Sequence, residues 1–294
     1  MNKKGMVTAF LVVLAVIALI AHVSTTNIEF SRYNGDWAGT SGLFADLDGQ
    51  GARDLVSYAD LTGRDDTLLL IIAPNTSFSS DEADALREFL KGGNNTVFVA
   101  DETGVSNDVL EEIGSRIRIQ PGDISSIEME FWDPWSVIAY SRRDDPILAN
   151  VSSLTLNGPS AVNGGETLVS TTLISWNDTN QNYHIDENES LSSFGILARE
   201  RIGNGTLYVL SDPSIFINGM REARISGDNE MFIENLLALH PDILVEQEHS
   251  LTGGADPVLA AVIWLKNTMI IKISALILSL LLVAVAFRRK WIGV

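Results

Sequence analysis

Residues 67–100 read TLLLIIAPNTSFSSDEADALREFLKGGNNTVFVA, and this stretch decides the fold. After Thr67 the chain is apolar to Ala73 without alternation, the pattern of a strand covered on both faces, and Pro74 ends the run. Ser79 or Ser80 offers an N-cap for a helix over 81–91, which has acids in its first turn and Ala83, Leu86, Phe89 and Leu90 on one stripe. Gly92-Gly93 stops that helix, and residues 96–100 (TVFVA) form a second buried strand. Strand, helix and strand in this order imply parallel neighbours joined by a right-handed crossover, hence an α/β sheet.

The same alternation continues outward. Residues 107–113 predict a short helix ending at Gly114, and 206–210 (TLYVL) a further buried strand. The chain turns at 211–214 and enters a helix over 229–239, capped near Asp228. Residues 117–141 and 150–175 read as strand-rich excursions with Pro- and Gly-marked turns. The stretch after Pro241, with Gly253-Gly254 and Pro257, reads as a tether.

Two uncharged apolar runs bracket this domain, at residues 6–21 and 273–287, and all 38 Asp and Glu fall between them. Lys3 and Lys4 precede the first run; Arg288, Arg289 and Lys290 follow the second. By the positive-inside rule both termini are cytoplasmic. The expected order is a cytoplasmic N-terminus (1–5), a membrane helix (6–23), an extracytoplasmic domain (24–245), a tether (246–266), a second membrane helix (267–287) and a cytoplasmic tail (288–294). A cleaved signal peptide is the alternative for the first run. The protein is thus expected in the cell membrane, with the bilayer itself as one partner.

Between the runs, with Lys272 at the edge of the second set aside, 14 Lys and Arg face 38 Asp and Glu, which excludes nucleic acid as a partner because that requires a basic surface. With no Cys there is neither a disulfide framework nor a thiolate nucleophile. Six Asn-x-Ser/Thr sequons, at Asn75, Asn94, Asn150, Asn177, Asn188 and Asn204, all lie on the side assigned as external and are glycosylation candidates.

Four stretches together carry a resemblance: Gly39-Thr40-Ser41-Gly42, the strand–helix–strand unit 68–100, Ser211-Asp212-Pro213-Ser214-Ile215-Phe216-Ile217-Asn218, and Asp228-Asn229 with Phe232, Asn235, Leu236 and Leu237. They resemble the domain-of-unknown-function 4350 family and the related GldG-like ectodomains of gliding-motility transporter-associated proteins, in a membrane-anchored, archaeal type. The resemblance implies a flavodoxin-like fold of the class I glutamine amidotransferase kind. It also implies a neighbourhood of MoxR-type ATPases and other envelope proteins, so a MoxR-associated or ABC-type system is the expected protein partner. The amidotransferase reaction needs a cysteine, which this chain lacks.

Two candidate sites remain. Residues 178–189 (DTNQNYHIDENE) place oxygen ligands Asp178, Asn180, Asn182, Asp186 and Glu189 at positions 1, 3, 5, 9 and 12, with the backbone of His184 at position 7. This is the spacing of a Ca²⁺ loop, except that Tyr183 stands where glycine is expected. A solvated Asx-rich turn is the alternative. Ser41, Asp101, Glu102, Ser211 and Asp212 fall at strand ends or a helix start, where open α/β sheets bind ligands. They are expected to line a crevice for a small solute or cation, or else to cap neighbouring helices. None of the four histidines is placed beside a candidate nucleophile in sequence. The chain is expected to be a non-catalytic binding or scaffold subunit of an envelope or transporter-type complex, with a solute receptor as the alternative.

Overall fold

The computed structural model describes residues 26–128, 135–221, 227–255 and 259–260. The chain divides into two units, Glu29–Gly254 and the chain ends Met1–Ile28 with Ala255–Val294. Both apolar runs lie outside the described residues. Among the described residues no helix is long and apolar enough to cross a membrane.

Within Glu29–Gly254 the central sheet has nine strands. Five are parallel neighbours: β1 (Arg53–Leu55), β13 (Asp242–Glu246), β2 (Thr67–Ile72), β3 (Thr96–Ala100) and β12 (Gly205–Leu210), in that spatial order. Antiparallel pairings then extend the sheet through β11 (Gly195–Ile202), β9 (Glu166–Thr171), β6 (Ser136–Ser141) and β7 (Ser153–Asn157). Two ribbons stand outside it: β4 (Arg118–Ile119) with β8 (Val162–Asn163), and β5 (Asp123–Ser126) with β10 (Ser175–Asp178). The fold is therefore α/β with one large mixed sheet. The strand-rich excursions are not separate from the parallel sheet, because β6, β7 and β9 continue it.

Alternation along the parallel strands sorts the core into two layers. Leu68, Leu70 and Ile72 of β2 share one with Phe98 and Ala100 of β3. Helices α1 (Ser41–Gly49) and α4 (Asn229–Leu237) cover it with Leu43, Phe44, Leu47, Phe232 and Leu236. Leu69 and Ile71 face the other layer with Val97 and Val99, beneath Leu86, Phe89 and Leu90 of α2 (Ser80–Lys91) and Val109 and Leu110 of α3 (Asn107–Glu112). Helices on both faces explain why β2 and β3 carry no polar alternation.

Helix α2 begins where its sequence predicts. Ser79 and Glu82 form a reciprocal capping box, with the Ser79 N–H donating to Glu82 Oε2 at 2.7 Å. Helix α4 starts at its expected place, but Asp228 does not cap it. Its carboxylate instead accepts the N–H groups of Ser152 (2.7 Å) and Ser153 (3.2 Å). Strand β13 lies within the stretch after Pro241 that reads as a tether. Its Ile243, Leu244 and Val245 are buried between β1 and β2. The segment after it is also packed: Asn75 N–H donates to His249 O at 2.8 Å, and Leu251 N–H to Ala73 O at 2.9 Å.

Candidate functional site

The carboxyl ends of β3 and β12 lie side by side, and the acids that follow them have different fates. Asp101 is 1 % exposed and consumed by its own loop. One carboxylate oxygen accepts Thr103 N–H (2.7 Å), Thr103 Oγ1 (2.8 Å) and Gly104 N–H (3.1 Å); the other accepts Ser106 N–H (2.8 Å) and Ser106 Oγ (2.6 Å). Ser211 is likewise internal, its hydroxyl donating to Ser160 O at 2.6 Å. Asp212 is fully buried and accepts Asn157 N–H and Ser214 N–H, both at 2.7 Å. Burial raises its carboxyl to about 6, against the lowering effect of those bonds.

Glu102 turns the other way. It lines an open cleft of about 550 Å³, together with Glu29, Thr103, Pro121, Gly122 and Asp123. Its carboxyl is pushed up to about 8, first by burial and then by the negative charges of Asp212, Glu29, Asp123 and Asp101. Glu102 and Asp101 also line a smaller cavity of about 210 Å³ with apolar Phe30, Ala73, Val105 and Leu251.

The opposite wall of the cleft comes from the β5–β10 ribbon and the loop after it. Asp123 and Asp178 are paired across the ribbon, and Asp123 is raised by burial and by Asp178, while its bond from Gln181 (2.8 Å) lowers it. Gln181, Tyr183 and Trp135 complete the lining with Asn157, Gly158, Ser160 and Ser214. Gly122 adopts φ +96, and an added Cβ would stand 2.4 Å from Asn177 Oδ1, so glycine is required at this wall. Trp135 and Tyr183 are 39 % and 42 % exposed, with ring centroids 4.9 Å apart and planes tilted 56°. Of the strand-end crevice residues only Glu102 lines this cleft, and of the loop 178–189 only Gln181 and Tyr183 do, neither of which is a proposed Ca²⁺ ligand.

The loop 178–189 closes on its own donors. Asp178 accepts Asn182 N–H (3.2 Å) and Tyr183 N–H (2.7 Å), and Glu189 accepts Thr179 N–H (3.0 Å) and Asp186 N–H (3.2 Å). The amide groups of Asn180 and Asn182 donate to Asp186 Oδ2 at 2.6 and 2.9 Å, and Asn182 Oδ1 accepts His184 N–H at 2.8 Å. Tyr183 takes φ +61, the left-handed conformation that its loop position demands, at a cost of roughly 1–2 kcal/mol for a bulky residue. Among the described residues no group of three or more His, Asp and Glu side chains is placed to hold a metal ion.

Ser41 does not join the cleft. It sits at the start of α1, where Asn218 supplies the cap: Gly42 N–H donates to Asn218 Oδ1 at 2.9 Å, and Asn218 Nδ2 donates to Ser41 Oγ at 3.2 Å. Gly39 approaches Asn34 so closely that a Cβ would stand 1.9 Å from its carbonyl oxygen. Sequence reasoning missed a second buried polar cluster. His249 is 7 % exposed, with Nδ1 3.1 Å from Glu246 and Nε2 3.4 Å from Glu82, and its ring stacks on Phe78 at 4.3 Å. The Glu246-x-x-His249 spacing at the end of an apolar run was its only signal. Trp135 closes the sequence FWDPW at 131–135, of which 131–134 lie outside the described residues.

The polar residues that carry the family resemblance serve mainly as staples. Asn229 pairs with Thr155 as a strand would, accepting its N–H at 3.0 Å and donating to its carbonyl at 2.9 Å. Asn235 Nδ2 donates to Ala149 O at 2.8 Å.

A family model described as Domain of unknown function (DUF4350) matches residues 32–237. No curated protein matches the sequence significantly. Solved structures with similarity include β-galactosidases from Bacillus circulans sp. alkalophilus (13 % identity, TM-score 0.34) and the haloarchaeon Halorubrum lacusprofundi (10 %, 0.35). These alignments cover 58 % and 59 % of this chain but 22 % of each enzyme. A putative GMP synthase component from Thermoplasma acidophilum aligns at 12 % identity and TM-score 0.32, covering 63 % of this chain and 76 % of that one. Similarities this distant carry no function across.

Proposed function

The chain belongs to the DUF4350 family, and we propose that it is a membrane-anchored, non-catalytic binding protein whose ligand site is the cleft between Glu102 and the Trp135–Tyr183 pair. The cleft carries this reading: it is open, about 550 Å³, and combines acidic, amide and aromatic groups at the strand ends where open α/β sheets take ligands. The binding reading is also supported by the surroundings of His249, whose two ring nitrogens face carboxylates rather than a hydroxyl nucleophile. The parallel half of the sheet, flanked by helices on both faces, supports a flavodoxin-like assignment for that half.

Two-pass anchoring with an extracytoplasmic domain follows from the charges flanking the apolar runs. Such a protein suits an accessory role in a MoxR-associated or ABC-type envelope complex, of GldG-like and archaeal type, that presents its cleft to solutes outside the membrane. A structural Ca²⁺ in 178–189 requires Asn180 and Asn182 to give up their bonds to Asp186 and turn their oxygens inward. A Ca²⁺-dependent rise in melting temperature checks that element.

The test is a thermal-shift panel of amines, amino acids and sugars on the full chain in non-ionic detergent. At least one solute class should raise the melting temperature, and Trp135→Ala should abolish the shift. A panel without any shift contradicts the reading.

A further inference from the structure

The cleft carries negative charge with nothing to answer it. Glu29, Glu102 and Asp123 line it, and its lining contains no Lys, Arg or His. Asp123 receives one amide bond from Gln181. The Glu102 carboxylate has no hydrogen-bond or ion-pair partner among the described residues, and every neighbouring group that acts on it is another acid. Asp101 and Asp212, by contrast, are satisfied by backbone and hydroxyl donors.

Beside these acids stands the Trp135–Tyr183 corner. The two rings pack with centroids 4.9 Å apart and planes tilted 56°, each is about two-fifths exposed, and both line the cleft. Aromatic faces and unanswered carboxylates are what a desolvated positive group requires. An anion is disfavoured among these acids, and a neutral polyol gives the Glu102 carboxyl no reason to ionise. A hard metal ion needs converging oxygens, whereas a diffuse organic cation does not.

We propose that the cleft takes an organic cation, an ammonium or guanidinium group seated on the Trp135–Tyr183 corner with Glu102 as its counter-charge. This rests on the reading of the cleft as the ligand site. The chemistry is shared by a free amine and by a Lys or Arg side chain of a protein partner. Because burial and the neighbouring acids hold Glu102 protonated up to about pH 8, an arriving cation favours the carboxylate. Binding at neutral pH therefore releases a proton, and affinity rises with pH toward 8.

Titration calorimetry on the full chain in non-ionic detergent, at pH 7 in two buffers of different ionisation heat, tests this. The probes are tetramethylammonium, putrescine, N-acetyl-arginine amide, a short Arg-containing peptide, the neutral N-acetyl-citrulline amide and maltose. A cationic probe should bind with a buffer-dependent heat that reports proton release, and the citrulline compound should bind at least about tenfold more weakly than its arginine counterpart. Tighter binding of the peptide than of the small amines identifies a protein side chain as the source; the reverse identifies a free amine. Glu102→Gln should weaken binding about tenfold and remove the buffer dependence, while Trp135→Ala should weaken it and leave proton release intact. Both variants are checked for a wild-type thermal transition. If maltose binds, loses affinity in Trp135→Ala, and the cations do not bind, the cation class is overturned and the ligand site stands. If no probe binds, or binding survives both variants unchanged, both are overturned.

Discussion

Asp101 and Glu102 are adjacent acids that the fold uses in opposite ways. Asp101 accepts five bonds from Thr103, Gly104 and Ser106, so it holds the turn that aims Glu102 outward. Replacing it with Ala strands buried donors and should cost about 2–3 kcal/mol in denaturant unfolding, with Ser106→Ala far milder. Glu102 gives a pH signature. Its folded value, about 8, lies above an unfolded value near ~4.3, so the folded state holds the extra proton between them. Its stabilising contribution is complete below the unfolded value and is lost as pH rises toward 8. Asp212, raised to about 6, acts in the same direction over a narrower window. Glu102→Gln should therefore flatten the fall in melting temperature between pH 5 and 8; an unchanged slope contradicts the account. The sequence marked both acids as strand-end residues. It did not reveal which one faces the cleft, because side-chain alternation ends with β3 at Ala100 and the loop's own hydrogen bonds decide the rest.

At the scale of elements, legibility follows locality. Helix α2 was readable because Ser79, Glu82 and the apolar stripe are all local signals. Strand β13 was not, since its five residues follow a helix and precede glycines, and only pairing with both β1 and β2 makes Ile243, Leu244 and Val245 core. The ribbon β5–β10 was hidden for the same reason: its partners are about fifty residues apart. The loop after β10 showed its Asx pattern plainly, and the departure at Tyr183 now has a physical meaning. Tyr183 bears left-handed strain and in return packs its ring against Trp135 in the lining of the cleft. Tyr183→Gly should relieve roughly 1 kcal/mol of that strain, so melting temperature changes little, while affinity for a bound cation falls. A large loss of stability would show that the ring is a structural support instead.

Across the whole molecule, a mixed sheet carries helices on both faces of its parallel half and a cleft at one end of that half. The acidic surplus visible in composition is distributed as ion pairs on the surface, such as Arg53 and Arg64 on Asp242, and as an unanswered group in the cleft. The sequons divide in the same way. Asn177 is half-buried and the other five are exposed; of these, Asn94 and Asn204 donate their amide groups to Asp66 and Gly92, as Asn177 does to Pro121. In a glycosylating host, peptide mapping should find Asn75, Asn150 or Asn188 modified and Asn177 bare; a glycan on Asn177 would show that the ribbon opens. Charges and apolar runs give the domain an expected address, whereas of its cleft the sequence marked only Glu102 as a candidate, because Trp135, Gln181 and Tyr183 reach it through non-local pairing.

Hydrogen–deuterium exchange of the full chain with and without tetramethylammonium, analysed by mass spectrometry, tests the central claim most directly. The account predicts protection at 101–106, 121–123 and 178–185, absent in Glu102→Gln. Protection confined to other segments, such as 56–59 and 246–251 around His249, would contradict it.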